Sequence, residues 1–378
     1  MRRLPWLTAL AAVSACLAWQ AITVDFNYGG NWTALFCTGA ELRQPPELAH
    51  ERIYLFPKST GYDGQYYHYQ AHDPFLRRGL SEYVDSPRLR YRRMLVPTAA
   101  WLLAVGQDRW IDPAFIAVIL AFVFLGTLWS ARLAVELGRH PAWGLLFLTV
   151  PATLISLNRM TVDIALAALV VGFVWHSRRG ISAPALLILA LAALARETGV
   201  LLAAGYCLYW LAERRLRAAA LAAAALLPVA PWYFFVERNT AAAENLGASQ
   251  AATFHLPLVW LELANYKASP LVNLTLQGLD YAVLAGVLLA LVLAVVFMIQ
   301  GPRDPAAYAG LCYALLAAAF FWTFEPGDPF ALPRIVSPLL VLVALRGSGL
   351  ALAPLLLVTP RVLVHYWPEL AGVVRALS

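Results

Sequence analysis

Residues 60–75, TGYDGQYYHYQAHDPF, crowd four tyrosines, two histidines and two aspartates into a chain that is otherwise greasy. These residue types suit two chemistries. The Asp63 carboxylate can take a proton from a hydroxyl that lies within hydrogen-bond reach, about 3 Å. His68 and His72, at i and i+4, have the spacing of a metal-binding helix face. The glutamate of the zinc-protease motif is missing between them and no third ligand stands out in the sequence. No metal or other cofactor is therefore assigned, and metal dependence stays open. The plainer reading makes Asp63 a helix cap and the tyrosines part of a membrane–water belt. Thr60-x-x-Asp63 reads as a capping box that starts a helix at about Gly61. Asp73-Pro74 ends it, because the residue before proline is pushed out of the α region. On that helix Asp63, Tyr67 and Gln70 share one face, and Tyr62, Tyr66, Tyr69 and Asp73 another.

Arginine supplies a further chemistry. Arg77, Arg78, Arg88, Arg90, Arg92 and Arg93 fall within residues 77–94. Their planar forks suit bidentate binding of phosphate, or the pairing of anionic lipid headgroups. Arg196-Glu197 stands between two apolar runs, where a charge is expensive unless paired or functional. Residues 157–163, LNRMTVD, add Arg159 and Asp163. Residues 324–334, FEPGDPFALPR, add Glu325, Asp328 and Arg334.

What must position these groups is a membrane bundle. The 378 residues are 61% hydrophobic and only 13% charged, with a mean hydropathy of +0.65. A soluble domain carries about 25% charged residues. Apolar runs near 20 residues can cross a bilayer as helices, which satisfy their own backbone. The sequence predicts an all-α polytopic transmembrane bundle, one domain over 1–378. Its eleven spans lie at 5–24, 113–136, 141–157, 161–176, 182–195, 199–212, 217–236, 280–299, 305–323, 334–346 and 349–364. The apolar N-terminal run passes the lipoprotein-like VSAC (13–16) and reaches Val24, which favours a retained first helix over a cleaved leader. Cys16, Cys37, Cys207 and Cys312 have no disulfide or zinc spacing.

The net charge of +6 is almost all arginine; Lys58 and Lys267 are the two lysines. With Arg2 and Arg3 in the cytoplasm, Arg139, Arg178, Arg179, Arg214, Arg215, Arg217, Arg303 and Arg346 also fall inside, provided that 94–106 does not cross. That segment is then an interfacial helix on the outer surface. Residues 25–112 form a large extracytoplasmic loop, 237–279 a second and 324–333 a short third. Most of the remaining polar clusters share this outer face.

Together these features resemble the GT-C class of integral-membrane glycosyltransferases. YDGQYYHYQAHDP (62–74) is similar to the Trp/Tyr-Asp-Gly…Tyr…Ile-Ala pattern in the first loop of mannosyltransferase-like members. YRRMLVPTAAWLLAVG (91–106) resembles the juxtamembrane helix that follows it. LARETGVLL (194–202) and LPRIVSPLL (332–340) resemble the basic motif midway and the Arg…Pro motif late in such chains. The resemblance implies a polyprenyl-phosphate-linked sugar as donor, an envelope glycan or lipid as acceptor, and surrounding membrane lipids, with no nucleic acid. High alanine, leucine and arginine use points to a bacterial inner membrane, and the arginine distribution to a cytoplasmic N-terminus with the site facing the periplasm or exterior. A first-loop acid would be the catalytic base. The family's usual place, just after the first span, holds Asp25 without an acidic partner, so Asp25 competes with Asp63; the Gly and Tyr context favours Asp63. Arg196 would contact the donor phosphate, Arg334 is the late arginine, and Asp163 opens a span. Tyr62, Gln65, Tyr66, Tyr67, Arg90, Arg92, Arg93 and Glu197 complete the expected substrate-binding set. Partial burial is expected to raise the basicity of the catalytic carboxylate.

Two other classes compete. A lipid or glycan transporter usually carries ionisable groups at mid-membrane; here Arg132…Glu136 is the one charge pair that stands out inside a run. A non-catalytic envelope assembly protein would tolerate loss of both Asp25 and Asp63.

Overall fold

The computed structural model describes residues 3–241, 265–266, 268–320, 330–346 and 349–377. Among them the chain is all-α, apart from a two-residue parallel pairing of Thr38–Gly39 with Leu55–Phe56. Helix α1, Leu4–Tyr28, is unbroken past Cys16 and stops at Gly29 in the left-handed conformation. The long connection that follows carries α2 (Asp63–His72), α3 (Pro87–Arg92) and α4 (Leu95–Leu103). Then come α5 (Ile111–Glu136), α6 (Pro151–Arg159), α7 (Asp163–Ser177), α8 (Ala183–Ala195), α9 (Val200–Ala212), α10 (Leu216–Ala224) and α11 (Ala230–Asn239). The last five are α12 (Pro270–Gln300), α13 (Pro305–Phe320), α14 (Ala331–Ala344), α15 (Gly349–Leu363) and α16 (Trp367–Leu377).

Among the described residues four stretches are long and apolar enough to cross a membrane: Leu4–Tyr28, Asp108–Glu136, Pro270–Gln300 and Gly349–Leu377. A fifth is possible if the bent pair Pro141–Thr149 and Pro151–Arg159 counts as one. The span expected at 141–157 is not one continuous helix. It is a 3-10 segment and a helix meeting at 63°, because Pro151 holds Val150 extended, at ψ 128°. The expected span at 217–236 is likewise two helices, separated by turns at 225–229 around Pro228. Helix α12 begins at Pro270 rather than near 280, ten residues inside the connection expected at 237–279; residues 242–264 and 267 lie outside the described ones. Helix α4 has nine residues, too few for a bilayer core of about 30 Å. It buries Val96, Pro97 and Ala100 and exposes Leu102 and Leu103, as an interfacial helix does.

One hydrophobic core joins α1, α4, α5, α7 to α9 and α12 to α15. At its centre α7 is apolar on all sides and nearly all buried, so the one acid that opens it, Asp163, must be matched by a cation. The helix ends sort into two sets. At one, Glu136 at the end of α5 meets Arg178 (3.2 Å) and Arg179 (3.6 Å) after α7, and Asp304 before α13 meets Arg346 after α14 (2.9 Å). At the other end stand the loop helices, the start of α7, the α8–α9 joint and the start of α14. Arg132 and Glu136 are not a pair: Arg132 lies over Trp6 and Trp175. The buried pair sequence reading missed is Asp280 with Arg361, 2.6 Å apart between α12 and α15. Tyr266 closes on both, donating to Asp280 at 2.5 Å and accepting from Arg361 at 3.0 Å.

Candidate functional site

Helix α2 starts at Asp63, with Tyr62 at its N-cap. The capping box predicted a start near Gly61, but Gly61 is left-handed, at φ +77°, and cannot open a helix. The Asp63 carboxylate is spent elsewhere. Its Oδ1 accepts from Arg90 Nη2 at 2.8 Å and its Oδ2 from Arg334 Nη1 at 2.6 Å. Gly64 permits this placement: a Cβ there would collide with the backbone carbonyl of Arg159 at the end of α6.

From Asp63 the contacts run in a closed ring. Arg334 Nη1 lies 3.7 Å from Asp163 Oδ2. Asp163 Oδ1 accepts from Arg196 Nη1. Arg196 Nε lies 3.7 Å from Glu197 Oε1. Arg93 grips Glu197 with two bonds, at 2.7 and 2.8 Å. Arg93 also donates to the Tyr67 hydroxyl at 2.9 Å, and Arg90 donates to the same oxygen at 3.2 Å, which returns to Asp63. Four guanidiniums face three carboxylates, +4 − 3 = +1. Asp85, bonded to Arg90 at 2.9 and 3.0 Å and 40% exposed, offsets that charge from the rim. Tyr62 lies under Arg334, with Tyr66 and Tyr67 against Arg90, at 5.1 to 5.4 Å.

Eight of the sequence-predicted residues therefore meet: Asp63, Tyr67, Arg90, Arg93, Asp163, Arg196, Glu197 and Arg334, with Tyr62 and Tyr66 stacked on them. Three do not join. Asp25 is exposed near the end of α1. Arg92 pairs with Glu237 at 2.9 Å instead. Gln65 spends its amide on the backbone, accepting from Gly39 N–H and donating to the Thr60 carbonyl, which ties the loop to α2. Glu325 and Asp328 lie outside the described residues.

Electrostatics correct one expectation. Burial by itself raises the Asp63 pKa, but Arg334 and Arg90 overcome it and hold the carboxyl far below the usual range. Asp63 in this ring is a weaker base than an ordinary aspartate. Glu197 behaves alike: burial opposes ionisation, yet Arg93 and Arg196 bring it down to about 2.

The other face of α2 carries a second cluster. His68 Nε2 contacts Asp112 Oδ1 at 2.7 Å and His72 Nε2 at 3.2 Å. Glu51 reaches both rings, at 3.7 Å from His68 and 3.4 Å from His72. Asp108 bonds His72 Nδ1 at 2.8 Å and takes a double bond from Arg78 at 2.6 and 3.0 Å. Both imidazoles are fully buried. Burial pushes the Glu51 carboxyl up to about 7, and burial pushes His72 down to about 4. The sequence showed the two histidines but neither Glu51 nor Asp112, which join them only through the fold. No family model, curated protein or solved structure matches this chain.

Proposed function

We propose that the chain is a membrane glycosyltransferase that moves a sugar from a polyprenyl-phosphate donor to a hydroxyl of an envelope glycan or lipid. The ring of Arg90, Arg93, Arg196 and Arg334 with Asp63, Asp163 and Glu197 carries this reading. It gathers arginine forks from the first loop, the α8–α9 joint and α14 at one end of an apolar bundle. A lipid phosphate needs such a place, with its charge at the membrane boundary and its chain among apolar helices.

The opposite end of the bundle holds the arginines of the short connections, which favours that end as cytoplasmic and the ring as extracytoplasmic, in a bacterial inner membrane. Eleven crossings result when the bent α6 unit and the α10–α11 pair each count once. The helices shorter than the bilayer core are accommodated by local thinning.

Transfer breaks the bond from the sugar carbon to the phosphate oxygen and forms one to the acceptor oxygen. The phosphate leaves with the electron pair, and fixed arginines stabilise its charge best where water is scarce. The acceptor proton goes to a carboxylate, and one carboxylate suffices for an inverting single displacement. Asp63 is the candidate base, by its place in the ring. Pinned by two guanidiniums it is idle; a donor phosphate that engages Arg90 and Arg334 loosens both and restores its basicity. The exposed Asp25 has no such coupling.

A transporter or flippase is the second reading, favoured by the Asp280–Arg361 pair buried between two long apolar helices. Envelope glycans compared by mass spectrometry in a deletion strain decide between the two. The strain is complemented with wild type or Asp63→Asn, each confirmed at normal level in the membrane. A sugar that vanishes on deletion, returns with wild type and stays absent with the variant supports transfer. Full restoration by the variant removes Asp63 from the chemistry, and no change in any strain removes the transferase.

A further inference from the structure

We propose that Glu51, His68, His72 and Asp112 form a closed four-ligand site for a divalent transition metal, zinc by chemistry, that fastens the first loop to the bundle. The ligand atoms come from three separate places: the loop before α2, two successive turns of α2, and the start of α5. All lie within 4.8 Å of one another.

The distances suit a small ion. Metal–ligand bonds of about 2.0–2.1 Å place neighbouring tetrahedral ligands about 3.3 Å apart. The two imidazole Nε2 atoms are 3.2 Å apart, and Glu51 lies 3.4 and 3.7 Å from them. The His68–Asp112 contact, at 2.7 Å, opens slightly when an ion replaces the shared proton. That proton leaves as the metal arrives.

Orientation argues the same way. Asp108 accepts from His72 Nδ1, so the Nε2 lone pair points into the cluster. Carboxylate–histidine–metal chains of this kind fix the tautomer of a ligand. Arg78 in turn holds Asp108 with two bonds. Glu51 Oε2 is buried and, among the described residues, has no hydrogen-bond partner. A buried carboxylate oxygen left so is expensive unless something cationic meets it. Two imidazoles and two carboxylates suit zinc or manganese rather than calcium or magnesium. With four protein ligands and a buried core the site is structural, and its effect on the ring is positional: it fixes the far end of the helix that presents Asp63.

The reading is independent of sugar transfer, and so is its test. The full-length chain, purified in detergent, is dialysed against zinc and then metal-free buffer, and bound metal is measured by plasma mass spectrometry. The expected result is one zinc per chain, lost in His72→Ala and in the gentler Glu51→Gln. Cobalt in its place gives the intense visible bands of a tetrahedral ion. Asp63→Asn, in the ring, keeps its zinc. Wild type without bound metal, a melting temperature indifferent to zinc, manganese and cobalt, or zinc retained equally by His72→Ala and Glu51→Gln each overturns the site. Manganese bound in preference to zinc overturns the choice of ion.

Discussion

Helix α2 works on two faces, and the two differ in how their charges are matched. Asp63 and His72 are nine residues apart, about half a turn in azimuth. On the Asp63 side four arginines and three acids alternate, and each carboxylate meets a guanidinium. On the His72 side three acids, Glu51, Asp108 and Asp112, face one guanidinium around two buried imidazoles; among the described residues a buried carboxylate oxygen without a hydrogen bond stands on each side, Glu51 Oε2 here and Asp163 Oδ2 in the ring. A matched ring opens only for a ligand that competes for its arginines, which means an anion. A cluster with surplus lone pairs attracts a cation. The same ten residues thus present an anion site and a cation site, back to back.

The largest effect that tests this contrast belongs to Asp63→Asn. As a general base the carboxylate contributes about 10²–10⁴-fold, so the dependent glycan falls by that factor while metal content stays at wild type. A drop in both measurements breaks the separation of the two faces. Next comes Arg334→Ala. Removing one fixed donor to a developing oxyanion lowers transfer about 10²–10³-fold. Arg334→Lys recovers little, because an ammonium lacks the planar fork. Arg92→Ala, outside the ring and paired with Glu237, leaves transfer within a few-fold of wild type in the same glycan assay. Asp108→Asn follows on the other face. It weakens zinc affinity about 10–100-fold, read by competition with a chelator, and changes transfer less than either ring substitution.

Much of the ring was visible in the sequence because charge is rare in this chain. Arg196-Glu197, Asp163 and Arg334 stood out against apolar runs, and a charge at a span end is paired or functional. What the sequence did not reveal was who pairs with whom. Asp63 and Arg334 are 271 positions apart, and no local rule joins them. For the same reason Asp63 looked like a cap and a base of raised basicity, when two distant arginines make it the opposite. The metal cluster was half legible. The i,i+4 histidines are a local signal, whereas Glu51 and Asp112 arrive from a loop and from another helix. Asp280 and Arg361 hid because they are 81 positions apart, Asp280 at the first residue of one expected span and Arg361 within another, and no local rule joins them. Helix breaks at Val150 and Pro228 were overlooked because hydropathy sums over a window and does not register one proline.

The smallest effect separates the faces by pH. Glu197 has its pKa lowered, from an ordinary 4.5 to about 2, by Arg93 and Arg196 against the pull of burial. A lowered pKa means that the folded state holds the proton less well than the unfolded one. The stabilisation is complete above about 4.5 and disappears as pH falls towards 2. Asp63 is lowered in the same sense and adds to the loss. The ring's contribution to the melting temperature should therefore hold from pH 7 to about 5 and then decline; Glu51 and His72, raised and lowered respectively, act in opposite directions over the same range in both proteins, so the wild type is read against Glu197→Gln. Glu197→Gln starts lower at neutral pH, since Arg93 loses its bidentate partner, and declines less steeply below 4.5. The difference in the decline is roughly 1 °C for each 1 kcal/mol that the pair contributes in a chain of this length. An equal decline in both proteins means that Glu197 titrates as an ordinary glutamate, and that the ring is not closed on that side.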